Sequence, residues 1–192
     1  MNSAPKLVSV TKLTNNNWAN LYQLDYTVGK NKISHFVASR REINVDNLNK
    51  HTVDAVIVLP YIKQGNKTSI VFIRQFRFAL NDYIFDVPAG CVDDNEDPTQ
   101  TAKRELLEEI GATTLDLQPC TDLSFISPGC LTEASKTFFA HVKLDHKQSL
   151  EPDELIEQVI VPLDEVPQFL KTHTMAVQGK MLAMLFYLQN KN

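Results

Sequence analysis

Residues 90–112 read GCVDDNEDPTQTAKRELLEEIGA, and no other stretch narrows the choice of folds as far. It divides into a loop and a helix. Asp97 and Pro98 supply an N-cap and a first-turn proline, Thr101, Ala102, Leu106, Leu107 and Ile110 keep helical spacing, and Gly111 is placed to end the helix. Glu105 and Glu109 then stand one turn apart, their side chains about 5 to 6 Å from each other, with Glu108 beside them. Like charges at this spacing cost roughly a few tenths of a kcal/mol per pair, so acids crowded on the inner side of one helix point to a cation that offsets the repulsion. Glu96, in the loop before the helix, is placed to fold back as a fourth ligand.

A solvated acidic face would account for the charge, but not for the glycines, the arginine or the spacing. The segment resembles the Nudix box: glycine, five residues, Glu, seven residues, Arg-Glu, an aliphatic residue, any residue, Glu-Glu, any residue, glycine, an aliphatic residue. Gly90, Glu96, Arg104, Glu105, Leu106, Glu108, Glu109 and Gly111 match it; Ala112 departs, where the box has a larger aliphatic residue. The resemblance implies a mixed sheet between helices and hydrolysis of a diphosphate.

At 192 residues the chain suits one domain with a full core plus a small appended element. A net charge of -4 and a pI near 5.7 argue against broad nucleic-acid or anionic-membrane binding and favour a small-molecule partner, with a local basic pocket still allowed. Cys91, Cys120 and Cys130 are odd in number and lack metal-type spacing. That suits a reducing cytosol, and the absence of a Cys/His cluster argues against zinc. No signal-type segment opens the chain, and the apolar run at 175–188 is short and broken by Gln178 and Lys180, so a soluble cytoplasmic protein is expected.

Residues 6–42 are β-patterned, with turn clusters at 15–17 and 29–31, and predict two or three strands. Trp18, Tyr22 and Tyr26 recur at intervals of four, which on a strand puts them on one face, for packing or for stacking on a base. Further strands are expected at 51–61, 68–78, 117–126, 137–144 and 155–161, and helices at 163–170 and 174–188. Strands on both sides of one central helix, with helices near the C-terminus, predict an α/β sandwich rather than a doubly wound parallel sheet. The expected fold class is therefore α/β, a Nudix-type α/β/α sandwich with a mixed sheet plus an N-terminal antiparallel β arm. The arm is placed at residues 1–43 and the hydrolase domain at 44–192.

Outside the box the flanks resemble the ADP-ribose pyrophosphatase branch of that family. SRRE at 39–42, RQFR at 74–77, DVPAG at 86–90 and SPGCLTE at 127–133 carry the likeness, with Pro128 sixteen residues past Ala112. The resemblance implies a homodimer whose arms help build the partner's site. It implies that Glu105, Glu109 and the Ala89 carbonyl bind Mg²⁺ (or Mn²⁺), with Glu108 as a ligand or close neighbour. Arg104 would orient the acids, and Glu154 would be the base or an additional ligand, with Glu151 as its alternative. Arg77 and Arg40 would contact the diphosphate or terminal ribose, and Glu133 the sugar end. Asp86 stands where the branch often has Glu, one methylene longer, so a contact there would pass through water. His35 and Phe36 stand where some relatives stack a tryptophan on adenine; packing is the alternative for each. The implied reaction is cleavage of ADP-ribose to AMP and ribose 5-phosphate. Hydrolysis of GDP- or UDP-sugars, and a sensor that binds such ligands without cleaving them, are the alternatives.

Overall fold

Apolar runs such as AVIVLP, at 55–60, lack the polar alternation of a half-exposed strand and suit a sheet covered on both faces. The structure, a computed structural model, describes residues 4–191 and bears this out. β4 (Ala55–Gln64) and β5 (Lys67–Arg77) form a hairpin, and β9 (Ala134–Leu144) runs parallel to β4. On one face Val56, Val58, Val71, Ile73, Phe138, Ala140 and Val142 gather with Ala102, Leu106 and Ile110 of α1 (Pro98–Ile110). Their neighbours Ile57, Leu59, Ile70 and Phe72 turn to the other face. There they meet Leu170 of α2 (Val166–Thr172) and Leu182, Ala183 and Phe186 of α3 (Val177–Asn190). Leu106 is fully buried, so its truncation to alanine is expected to cost about 2 to 5 kcal/mol. The core therefore fixes α1, and the acids ride on it.

The mixed sheet has seven strands in the order β10-β5-β4-β9-β8, with β6 (Asp82–Asp86) paired to β5 and β7 (Ala89–Cys91) to β4. β8 spans Ala112–Phe125 and β10 spans Ile156–Pro162. A separate antiparallel sheet comprises β1 (Lys6–Lys12), β2 (Asn20–Val28) and β3 (Asn31–Ser39). The expected sandwich and antiparallel arm are thus both present. Among the described residues no helix is long and apolar enough to cross a membrane.

The chain forms two compact units, one running to Asp54 and including Leu123–Ala134, the other comprising Ala55–Asp122 and the chain from Ser135 on. In the first, Tyr22, Leu24, Val37 and Ile43 form a small core with Leu7, Val10, Tyr26 and Leu48. The returning segment joins β3: the Ala38 amide donates to the Cys130 carbonyl at 2.8 Å, and the Thr132 amide to the Ala38 carbonyl at 3.2 Å.

Three local expectations need correction. Trp18 precedes β2 and is 81% exposed, so it does not share a strand face with Tyr22 and Tyr26. β8 begins at Ala112, directly after the helix-ending glycine, because the β-branched pair Thr113-Thr114 suits a strand. The turn after β10 is a 3-10 segment, Leu163–Glu165, and α2 follows only at Val166, with Pro167 in its first turn.

Candidate active site

α1 starts and stops as its sequence dictates. The Asp97 side chain accepts from the Thr99 amide at 2.8 Å, which as an N-cap is worth about 1 kcal/mol. Gly111 closes the helix at φ 58°, a left-handed conformation that glycine adopts without a Cβ penalty, and its amide reaches the Leu106 and Leu107 carbonyls. Between these ends Glu105 and Glu109 fall on the buried side with Thr101, Ala102, Leu106 and Ile110. Gly90 allows this: a Cβ there would overlap the Glu105 carboxylate.

Arg104 gathers one group of acids. Its Nε and Nη2 grip Glu96 through both carboxylate oxygens at 3.1 Å, and its Nη1 donates to Glu105 at 2.7 Å and Glu108 at 3.1 Å. Nη2 also donates to the Cys91 carbonyl at 3.1 Å. Glu96 accepts further from the Thr101 hydroxyl at 2.8 Å and the Asp93 amide at 3.3 Å. The Arg104 guanidinium, with these donors behind it, holds the Glu96 carboxyl down at about 2. Glu96 therefore serves as the anchor of Arg104 and is not a free fourth ligand. A left-handed turn at Asn95, φ 65°, brings it back to the helix.

Glu109 sits in the opposite condition. It is 2% exposed and accepts from the Ala89 amide at 3.2 Å. Burial pushes its carboxyl well up, the Glu105 charge pushes it further, and Glu154 adds to both, against the weaker pull of Arg77. Glu105 is also raised, first by burial, although Arg104 opposes the rise. Glu154 thus lies within electrostatic reach of the helix acids, and the Glu151 amide holds its Oε2 at 2.9 Å. Glu151 itself is exposed.

Asp86 is 6% exposed with both oxygens engaged: Oδ2 accepts from Arg77 at 2.9 Å and Oδ1 from the Val87 amide at 2.9 Å. Burial raises its carboxyl while Arg77 opposes the rise. Asp86 holds Arg77 through one oxygen and accepts from the Val87 amide through the other. The shorter side chain fits because its partner lies on the adjoining strand β5.

The remaining candidates belong to the first unit. Arg40 Nη2 lies 3.2 Å from Glu133 Oε1, an ion pair between the two signature segments 39–42 and 127–133. On β3, His35 meets the Tyr26 ring edge-on at 6.4 Å between centroids. Phe36, on the opposite strand face, is 54% exposed and is not a core residue. Thr101, fully buried on α1, and the side-chain amides of Gln148 and Gln158 beside the helix support the site without any motif to announce their contacts.

Among the described residues no three Asp, Glu, His or Cys side chains converge as a finished metal cage. Glu105 is turned toward Arg104 instead. The donor chemistry nevertheless fits a hard divalent cation: Glu105, Glu109 and Glu154 repel one another, and the most buried of them carries the most strongly opposed charge.

The crystal structure of an ADP compounds hydrolase superposes with a TM-score of 0.74 over 98% of this chain and 94% of that one, at 18% identity, which establishes the fold. The NUDIX domain matches residues 51–185, and the chain belongs to the Nudix hydrolase family. Over 156 residues it is 34% identical to an ADP-ribose pyrophosphatase of Bacillus subtilis (strain 168), covering 80% of this chain and 78% of the relative. Over 108 residues it is 32% identical to a methanol dehydrogenase activator of Bacillus methanolicus, covering 55% and 58%. The protein is thus a Nudix hydrolase related to ADP-ribose pyrophosphatases, from a family that generally uses a divalent metal.

Proposed function

We propose that this hydrolase cleaves ADP-ribose to AMP and ribose 5-phosphate in a Mg²⁺-dependent reaction. The observation that carries the reading is the crowding of acids at the buried Glu105 and Glu109 with Glu154 in electrostatic reach, supported by the likeness to an ADP-ribose pyrophosphatase. Glu105, Glu109 and the Ala89 carbonyl would hold the cation, with Glu108 beside them. When bound, Mg²⁺ (or Mn²⁺) screens the diphosphate oxygens and lowers the pKa of water. Glu154 takes a proton from the attacking water as that water bonds to phosphorus and the bridging P–O bond breaks toward the departing phosphate. Arg104 keeps Glu105 and Glu108 oriented through its fixed fork. Arg77, aimed by Asp86, serves the diphosphate.

In the first unit Arg40 and Glu133 serve the ribose end, and Phe36 or His35 supplies a stacking face for the base. The protein is proposed to act in the cytoplasm as a homodimer; a monomer mass by light scattering would remove the dimer.

Hydrolysis of ADP-ribose beside ADP-glucose, GDP-mannose and UDP-glucose, with Mg²⁺ and with EDTA, tests the reaction. AMP and ribose 5-phosphate, identified by mass and abolished by EDTA, are expected from ADP-ribose at the highest kcat/KM. Equal or greater kcat/KM on a GDP- or UDP-sugar would reassign the substrate. Tight binding of ADP-ribose without cleavage would make the protein a sensor.

A further inference from the structure

The last turn of α1 carries Glu108 and Glu109, and a helix end leaves four carbonyls without intrahelical partners. Here every one has a donor. Gly111 caps Leu107 at 3.0 Å, the Ser149 amide donates to the Glu108 carbonyl at 2.9 Å, and Gln148 Nε2 donates to the Glu109 carbonyl at 2.6 Å. Gln158 Nε2 donates to the Ile110 carbonyl at 2.8 Å, and the His146 amide to the Gly111 carbonyl at 2.9 Å. The approach is close enough that a Cβ on Gly111 would overlap the His146 carbonyl. Apart from Gly111, these donors come from residues 146–158, the segment that also carries Glu154. Gln148 is the connecting member: the same Nε2 that meets the Glu109 carbonyl lies 3.5 Å from the Ile156 carbonyl, two residues beyond Glu154.

We infer that Gln148 is a positioning residue for the reaction, its side-chain amide setting the separation between Glu109 on the helix and Glu154 on the loop. Glu105, Glu109 and Glu154 repel one another, so their spacing needs a tie that bears no charge. A basic residue in the last helical turn would be the ordinary answer to exposed carbonyls, and α1 has none. A neutral amide satisfies the carbonyl without neutralising the acids beside it.

The inference rests on the roles given above to Glu109 and Glu154, and two measurements keep their failures apart. The first is Mn²⁺ binding by metal-free protein, followed by the EPR signal of free Mn²⁺. Gln148→Met, which keeps the length and loses the donor, is expected to weaken binding about tenfold, and Gln148→Lys, which restores a donor but brings the charge that the tie must not bear, to leave it weakened. The second is turnover. Gln148→Met should lower kcat about tenfold or more while leaving KM within about twofold, because displaced reacting groups cost rate rather than substrate affinity. In a Glu154→Gln background the same substitution should change kcat by less than about twofold, since partners acting as one unit are not additive. Should Gln148→Met fail to fold, Gln148→Asn, with an amide one methylene too short, replaces it in each comparison. Wild-type Mn²⁺ binding and kcat in these variants, whatever their Tm, would overturn the inference, as would a fully multiplicative effect with Glu154→Gln. If the wild type cleaves no nucleoside diphosphate sugar, the proposed reaction fails, and the Mn²⁺ comparison still decides the place of Gln148.

Discussion

The two halves of the acidic cluster are wired in opposite ways. Glu96 accepts from both faces of the Arg104 fork, from the Thr101 hydroxyl and from the Asp93 amide, and its carboxyl is held at about 2. Glu109 is far more deeply buried, yet among the described residues the donor to its carboxylate is the Ala89 amide, while Glu105 and Glu154 press on it. Counting acids does not separate these groups; counting donors does. A carboxylate saturated with donors is a structural anchor. A buried one that lacks them is where a cation contributes most.

The sharpest way to break the comparison is Glu109→Gln. With Mg²⁺ present, kcat is expected to fall by about 10³-fold or more, since a catalytic cation supplies several kcal/mol of transition-state stabilisation. In EDTA the same variant should melt at or above the wild-type Tm near neutral pH, because the buried charge it removes is opposed by its surroundings. A near-normal kcat at saturating Mg²⁺ would end the assignment of Glu109 to the metal.

Glu154→Gln comes next. A loss of about 10² to 10⁴ in kcat with substrate binding retained is expected of a general base, while Glu151→Gln should stay close to wild type because Glu151 serves through its backbone amide. The reverse ranking of the two variants would transfer the role to Glu151. Arg104→Lys is milder: an ammonium cannot span both Glu96 oxygens while also reaching Glu105 and Glu108. About a tenfold fall in kcat is expected, with unaltered kcat showing that the fork is dispensable.

Much of this arrangement was legible in the sequence, and the reasons are local. Asp97, Pro98 and Gly111 are punctuation whose effect depends on a few neighbouring residues, so α1 falls where its sequence signals predict. The apolar runs of β4 and β5 announce a sheet buried on both faces. Partnerships were less legible. That Glu96 is consumed by Arg104, and Asp86 by Arg77, depends on loop and strand geometry that no spacing rule encodes. Packing, one of the two expectations for Phe36, fails because alternation along β3 turns it outward: the face toward Tyr22 and Leu24 falls to Val37 and His35. Gln148 carried no signal at all: its role comes from a long-range contact with a backbone carbonyl.

The smallest effect is the most direct test of the contrast, because it needs no substrate. Glu96 has a folded-state pKa of about 2 against an ordinary 4.5, so its contribution to stability is fully present above 4.5 and is lost as the pH falls toward 2. Glu109 and Glu105 are shifted upward, so the metal-free folded state binds more protons than the unfolded chain above pH 4.5, and stability falls as the pH rises through their raised values. In EDTA, Tm against pH should therefore decline on both sides of the ordinary carboxylate range. Glu96→Gln should flatten the acid limb alone and Glu109→Gln the alkaline limb alone. Saturating Mg²⁺ should flatten the alkaline limb of the wild type while leaving its acid limb in place, since a cation relieves the acids that lack donors and not the one that has them. If Mg²⁺ instead acts on the acid limb, the cation belongs beside Glu96, and the division between anchor and metal acids must be redrawn.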